Sequence, residues 1–325
     1  MIMKYRLYYG IINKHLDVTT ICSEKCICND VLYITNDQYQ RDQLFTDPAV
    51  GHDKFIFIHI ENDIYVYNNR RHVYVDMDMQ QQDKYIAYDD TNVPYNVRRR
   101  MPLSCLDWIH SKLDISHGTF MEEDVEQKLA VTYIHGNEKV LEIGGNIGRV
   151  AMVVSYILNM HKNTDFVSME CNTDIARQLI ENRDKNHLKF HVETGALSQR
   201  SLIHYGWSNV ESDTLLPPLN GIPYMSVTNI SMDELKSKYS IEFDTLIVDC
   251  EEAFYTILQD FPFILSNIRL IIMENDYFEK YKKEYVDKIL REAGFEVVYS
   301  EKGGWPRELN RFPCYDNFYE VWKCK

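Results

Sequence analysis

The sequence predicts an α/β protein in which a doubly wound, seven-stranded Rossmann-like sheet follows a smaller β-rich domain. Three observations carry this. Residues 139–143 form a short apolar strand that runs into a glycine-rich turn, Gly144-Gly145-Asn146-Ile147-Gly148, and then a helix. From there onward apolar runs alternate with helical patterns, and the runs before Glu170, Asp249 and Glu274 each end on an acid. The first 90 residues hold only short runs rich in aromatic and β-branched residues, separated by Asn, Asp and Gly.

A length of 325 residues calls for one large or two unequal domains. The division expected is a β-rich domain at 1–90, a polar, proline-punctuated linker at 91–104, and the sheet domain at 105–325. In the first domain the expected strands are Tyr5 to Ile12, Val31 to Thr35, Phe55 to Ile60, Ile64 to Tyr67 and His72 to Val75, with Glu61-Asn62-Asp63 as a hairpin turn and no helix between them. In the second, helical patterns around Leu106 to Leu113 and Glu122 to Tyr133 precede the first strand and lie at the sheet edge. The helix from Ile147 to about Leu158 follows the glycine turn, and Phe166 to Met169 is strand two. Asn172 is placed to cap the next helix, whose Ile175, Ala176, Leu179 and Ile180 share a face. Leu188 to Val192, Thr245 to Val248 and Leu270 to Met273 are strands three to five. A helix with Phe278, Tyr281, Tyr285 and Ile289 on one face closes at Gly294, and Phe295 to Tyr299 and Phe318 to Trp322 complete the sheet.

Charge and cysteine content bound the function. With 35 basic against 49 acidic residues the net charge is −14, and the longest basic run is Arg98-Arg99-Arg100, so a nucleic-acid backbone is not the expected partner. No apolar stretch reaches the length of a membrane span and the start lacks the order of a signal peptide, so a cytoplasmic location is expected. Eight mostly scattered cysteines suit reduced thiols, and the spacing of Cys22, Cys26 and Cys28 matches no zinc pair.

The glycine turn reads as a cofactor loop. Its pattern Glu-x-Gly-x-x-x-Gly, beginning at Glu142, places a carboxylate beside the turn. A pyrophosphate is repelled by such a group, whereas S-adenosylmethionine carries an ammonium and a sulfonium, so the loop favours the latter over NAD. The bland alternative is a plain strand-to-helix turn. Gly144, Gly145, Asn146 and Gly148 would cradle the cofactor, with Glu142 near its amino-acid end and Glu170, ending strand two, on the ribose.

With these strands placed, the sequence Asp249-Cys250-Glu251-Glu252-Ala253-Phe254 after strand four resembles the FkbM family of S-adenosylmethionine-dependent methyltransferases, over about residues 120 to 325. The family signature there is Asp-x-Glu-Gly-Ala-Glu. Asp249, Glu251 and Ala253 match, while Glu252 and Phe254 depart. Gly144 to Arg149, Glu274 to Tyr277 and Asn317 to Trp322 look most like members encoded by giant DNA viruses, and so does the N-terminal stretch Asn36 to Arg41 with Phe45 to Pro48. The resemblance implies a Rossmann-like methyltransferase sheet and methylation of hydroxyls of sugars and polyketide-type small molecules; for a viral member the location would be the host cytoplasm.

Methyl transfer to a hydroxyl is an in-line displacement that needs alignment and removal of a proton. Asp249, Glu251, Glu274, Asn275 and Asp276 project from the carboxyl ends of strands four and five, where reacting groups must lie. Asp249, then Glu274, then Glu251 are the expected catalytic carboxylates. Two roles stay open: a general base, or ligands of Mg²⁺ at Asp249, Glu274 and Asn275, a set that resembles the metal site of catechol-type O-methyltransferases. The plain alternative is that Asp249 caps the next helix and Glu251 makes a surface pair. Trp207 and Trp305 either stack on a sugar or anchor loops. The leading function is O-methylation of a sugar or glycan precursor. The rivals are an RNA methyltransferase, which the acidic charge disfavours, and a non-catalytic scaffold for the β domain, which Glu252 in place of glycine makes conceivable.

Overall fold

The computed structural model describes residues 5–78, 84–206, 208–211, 224–304 and 314–325. The chain divides into two compact units, 1–105 and 106–325. No helix among the described residues is long and apolar enough to cross a membrane.

The second unit is built on seven strands: β1 (Val140–Ile143), β2 (Phe166–Met169), β3 (His191–Glu193), β4 (Thr245–Val248), β5 (Leu270–Glu274), β6 (Phe295–Glu301) and β7 (Tyr319–Cys324). Their spatial order is β3-β2-β1-β4-β5-β7-β6; the first five run parallel and β7 is antiparallel to both neighbours. The order reverses between β1 and β4, the switch point where such sheets bind ligands. β1, β2 and β4 are buried at every position, as runs such as Thr245-Leu246-Ile247-Val248 require of strands covered on both faces.

The helices are α1 (Asp124–Tyr133), α2 (Arg149–Met160), α3 (Thr173–Lys185), α4 (Met232–Tyr239), α5 (Ala253–Asp260) and α6 (Lys280–Glu292). Asn172 caps α3 as expected, its Oδ1 accepting from the N–H groups of Asp174 and Ile175. Strand β3 begins three residues later than expected. The turn that ends α3 claims Leu188, whose N–H donates to the Arg183 carbonyl, and His187 takes a left-handed φ of 53°. Helix α6 starts at Lys280, not at Phe278, because the N–H groups of Phe278 and Glu279 donate to a side chain, Glu252 Oε1, at 2.9 and 3.1 Å.

The first unit holds two four-stranded antiparallel sheets. One contains Lys14–Asp17, Tyr5–Ile11, Phe55–Ile60 and Asp63–Asn68 in that order, the other Ile27–Cys28, Val31–Ile34, Val73–Asp76 and Ile86–Asp89. They share one core, in which Leu7, Ile56 and Ile58 of the first meet Leu32, Val73 and Val75 of the second. Contrary to expectation, helices intervene at Thr19–Lys25 and Gln38–Phe45. The second holds fully buried Arg41, which donates to the carbonyls of Thr35, Asn68 and Arg71. The stretch 91–104, expected as a linker, instead packs on this unit: Val97, Arg98 and Ser104 are buried, and Arg98 donates to the Tyr74 hydroxyl and the Asp90 carbonyl. All eight cysteines are free.

The strand that passes between β5 and β6 is pinned by a buried polar network. Lys283 Nζ of α6 donates to Glu320 Oε2 of β7 at 2.8 Å, and the same carboxylate accepts from Trp322 Nε1 and Asn275 Nδ2, both at 3.1 Å. Lys283 and Glu320 are each about 6% exposed, so removing one partner leaves a desolvated charge. Lys283→Met is therefore expected to cost about 3–5 kcal/mol of stability, and chemical denaturation of the variant checks it; a loss under about 1 kcal/mol would place this pair with ordinary surface bridges.

Candidate functional site

At the carboxyl ends of β1 and β2 the glycine turn is fixed from both sides. The N–H groups of Gly144 and Gly145 both donate to the Met169 carbonyl, at 3.0 and 2.8 Å, while Asp249 N–H donates to the Ile143 carbonyl at 3.0 Å. Gly144 has φ 94°, and a Cβ there would lie 1.5 Å from the Asp249 carbonyl oxygen. Only glycine fits between the two strand ends. Gly145 is tight for another reason: a Cβ would strike Ser168 Oγ at 2.2 Å. Gly148 caps α2 in the left-handed region.

A cavity of about 710 Å³ opens over these strand ends, a volume typical of small-molecule sites. Of the residues named from sequence, Gly144, Asn146, Glu170, Asp249, Glu251 and Glu274 line it. Glu170 accepts the N–H groups of Asn146 (3.0 Å) and Asn172 (2.8 Å), tying the glycine turn to α3 and leaving carboxylate lone pairs for a ligand. Beside it stand Cys171 and His204, the latter's Nδ1 3.1 Å from Asn209 Oδ1. Glu251 holds a left-handed φ of 54°, a strained conformation for a residue with a side chain and one that clusters at functional sites.

Four residues lie elsewhere than expected: Gly145 and Gly148 support the turn without lining the cavity, and Glu142 and Asn275 are placed away from it. Glu142 does not line this cavity. The strand pleat turns it to the face opposite Ile143, where it is fully buried, accepts from the Ser168 hydroxyl and borders a second, small cavity of about 10 Å³. Asn275 borders neither cavity: its amide nitrogen donates to the Asn317 carbonyl and to Glu320 of the β7 network, while its buried Oδ1 has no hydrogen-bond partner. Trp207 and Trp305 lie outside the described residues.

Glu252, which departs from the family signature, has a role. Its backbone is right-handed (φ −70°, ψ −2°), so no glycine is needed there, and its carboxylate receives the N–H groups of Phe278 and Glu279, just before α6, and pairs with Lys282.

Two residues were missed by the sequence reading. Glu123, the left-handed N-cap of α1, accepts from Asn146 Nδ2 (3.0 Å) and Arg149 Nη1 (2.7 Å). Glu126, one turn on, is only 4% exposed, and one oxygen of its carboxylate lies within 4.8 Å of carboxylate oxygens of Asp249 and Glu274. The signal was present: Glu126 precedes buried Leu129 and Ala130 by three and four positions, so it lies on the apolar face of the helix.

Eight carboxyl groups, Glu123, Glu126, Glu142, Glu170, Asp249, Glu251, Glu252 and Glu274, thus border the two cavities. Arg149 is taken by Glu122 and Glu123, and Lys282 by Glu252. Burial pushes Asp249 well above the usual carboxylate range, reinforced by Glu126 and Glu123. Burial likewise pushes Glu274 up to about 12, with Glu126 beside it, Glu251 to about 8, with Asp276 beside it, Glu142 to about 8 and Glu123 to about 7.

No protein-family model matches the chain, and no curated protein does. Among solved structures, an O-methyltransferase from Bacillus cereus in complex with SAH is similar over 72% of this chain and 94% of its own, at 14% identity and a TM-score of 0.38. A putative O-methyltransferase from Klebsiella pneumoniae is similar over 68% and 89%, at 13% identity and a TM-score of 0.37. A putative tRNA (m1A22) methyltransferase from Streptococcus pneumoniae is similar over 63% and 70%, also at 13% and 0.37. Likenesses at these TM-scores carry no argument about what the chain does.

The raised carboxyls make stability depend on pH with a definite sign. Below about pH 4.5 Glu123, Glu142 and Glu251 are protonated in both states. As pH rises the unfolded chain ionises first, so stability falls, levelling off near the folded values of about 7 for Glu123 and 8 for the other two. The melting temperature of the ligand-free protein should therefore drop between about pH 5 and 8; a rise across that window would contradict the burial of these groups.

Proposed function

We propose that the chain is an S-adenosylmethionine-dependent O-methyltransferase of FkbM type, acting on a hydroxyl of a sugar or glycan precursor. The observation that carries this reading is the acid-lined cavity at the switch point of a doubly wound sheet, built on a turn that only glycine can make. A phosphate-bearing cofactor would face this excess of carboxylates at a cost, whereas a cofactor with an ammonium and a sulfonium is attracted by it. When bound, S-adenosylmethionine supplies a methyl group on a positively charged sulfur.

The chain's own residues bind, orient and handle the proton. Gly144 leaves room for close approach to the backbone, and Glu170 offers acceptors for a ribose diol. Asp249, beside the glycine turn, is the carboxylate best placed to act on the acceptor, with Glu274 arriving from the adjacent strand. Both hold their protons tightly in the ligand-free site, and a bound cation favours their ionised forms. Glu251, held near 8, is suited to exchanging a proton near neutral pH. Mg²⁺ is the hard cation that this set of oxygens suits. The acidic balance of the chain speaks against an RNA acceptor and is compatible with a cytoplasmic small-molecule enzyme. The scaffold reading loses its motive, because Glu252 fits its turn and holds the N–H groups just before α6.

Two measurements test this. Calorimetry should show S-adenosylmethionine binding to the wild type, loss of binding in Gly144→Val, and a weakening of about 1–3 kcal/mol in Glu170→Ala; unchanged affinity in both variants would remove the cofactor assignment. With labelled cofactor and a panel of free and nucleotide-linked sugars, Asp249→Asn should retain cofactor affinity while turnover falls by about 10²-fold or more. Full turnover in that variant would return Asp249 to a structural role.

A further inference from the structure

We propose that Glu126, Asp249 and Glu274 bind one hard divalent cation, Mg²⁺ or Mn²⁺, with Glu126 as a ligand delivered by α1 from outside the strand ends. The three carboxylates come from separate elements, yet one oxygen of each lies within 4.8 Å of the others. Oxygens bound to a single Mg²⁺ at about 2.1 Å stand about 3 to 4.2 Å apart, so small side-chain adjustments bring the three into one coordination shell.

The second observation is independent of the clustering. Glu126 is 96% buried by its 4% exposure, and its Oε2 receives no hydrogen bond unless the neighbouring Glu274 carboxyl keeps a proton to donate. A buried carboxylate oxygen is left unpartnered only at a large cost unless something outside the polypeptide completes it. It borders the small cavity of about 10 Å³, close to the volume one water or one small ion occupies. Arg149 does not fill that role, since its guanidinium is engaged by Glu122, Glu123 and the Thr119 carbonyl.

An all-carboxylate set favours hard cations over zinc or copper, which prefer nitrogen and sulfur. Three carboxylates exceed the charge of one divalent ion by a single unit. The set differs from the one expected from sequence: Asn275 borders neither cavity, and Glu126 stands in its place. The small and large cavities share Glu123, Gly144, Asp249 and Glu274, so the ion stands at the wall of the larger one. Its use there, lowering the pKa of the acceptor hydroxyl, rests on the methyltransferase reading; its binding does not.

The test uses the full chain, stripped with chelator and free of S-adenosylmethionine. Titration with Mn²⁺, followed by the electron paramagnetic resonance of the free ion, should give one ion per chain, and Mg²⁺ should compete for it. Glu126→Gln should weaken Mn²⁺ by about 10-fold or more, and Asp249→Asn, which removes a different ligand, should do the same. Thermal unfolding supplies a second readout: Mn²⁺ should raise the melting temperature of the wild type and not of Glu126→Gln, whose metal-free form should melt above the metal-free wild type. No binding by the wild type at millimolar Mn²⁺, or equal binding by Glu126→Gln, overturns the proposal and leaves the three carboxyls sharing protons. Cofactor binding measured on the same samples separates the two readings: ion without cofactor sinks the methyltransferase assignment alone, and cofactor without ion sinks the cation site alone.

Discussion

Three strand ends meet at one glycine. The Met169 carbonyl of β2 takes both N–H groups of the turn, and the Asp249 carbonyl beyond β4 occupies the space a side chain on Gly144 would fill. This contact sets how closely β4 approaches β1 at the switch point, and with it the position of Asp249, Glu251 and the mouth of the cavity. Glu170 extends the same constraint to the start of α3 by gripping the N–H groups of Asn146 and Asn172. The site is thus assembled from backbone that has almost no freedom to move apart, which is the preorganisation a displacement reaction needs.

Around that rigid turn the protein gathers charge that it does not neutralise. Elsewhere its buried charges are matched: Lys283 with Glu320, and Arg41 with three carbonyls. At the strand ends the carboxyls outnumber the available cations, and their proton affinities rise accordingly. Such an imbalance lowers the stability of the empty protein and is characteristic of places where a ligand is to supply the missing charge. Glu123 links the two regimes, since it pairs with Arg149 on one side and holds Asn146 of the glycine turn on the other.

Much of the sheet domain was legible because its strands are continuous apolar runs ending on acids, a pattern that burial on both faces imposes. The acids after β2, β4 and β5 reached the cavity for the same reason. Glu142 was misplaced because an acid adjacent to a glycine turn looks like a ligand contact until the alternation of the strand is followed: it points with Ser168 into the layer beneath. Glu126 escaped notice because the helix before β1 was read only as an element at the sheet edge, without asking which of its residues face the sheet. The β domain was read less well. Its helices are seven and eight residues long, too short for a clear period, and Arg41 is buried by three backbone carbonyls that no local pattern reveals. The supposed linker is polar in composition, yet Arg98 spends its polarity inward, on Tyr74 and Asp90.

From the loop that follows β4, Glu252 accepts the two N–H groups just before α6, and Lys282 closes the pair from the helix side. One side chain therefore couples the loops after two adjacent strands, each carrying carboxyls of the site. Neither loop swings outward without breaking charge-assisted bonds to the other. The departure from glycine thus ties what would be two independent loops into one wall of the cavity.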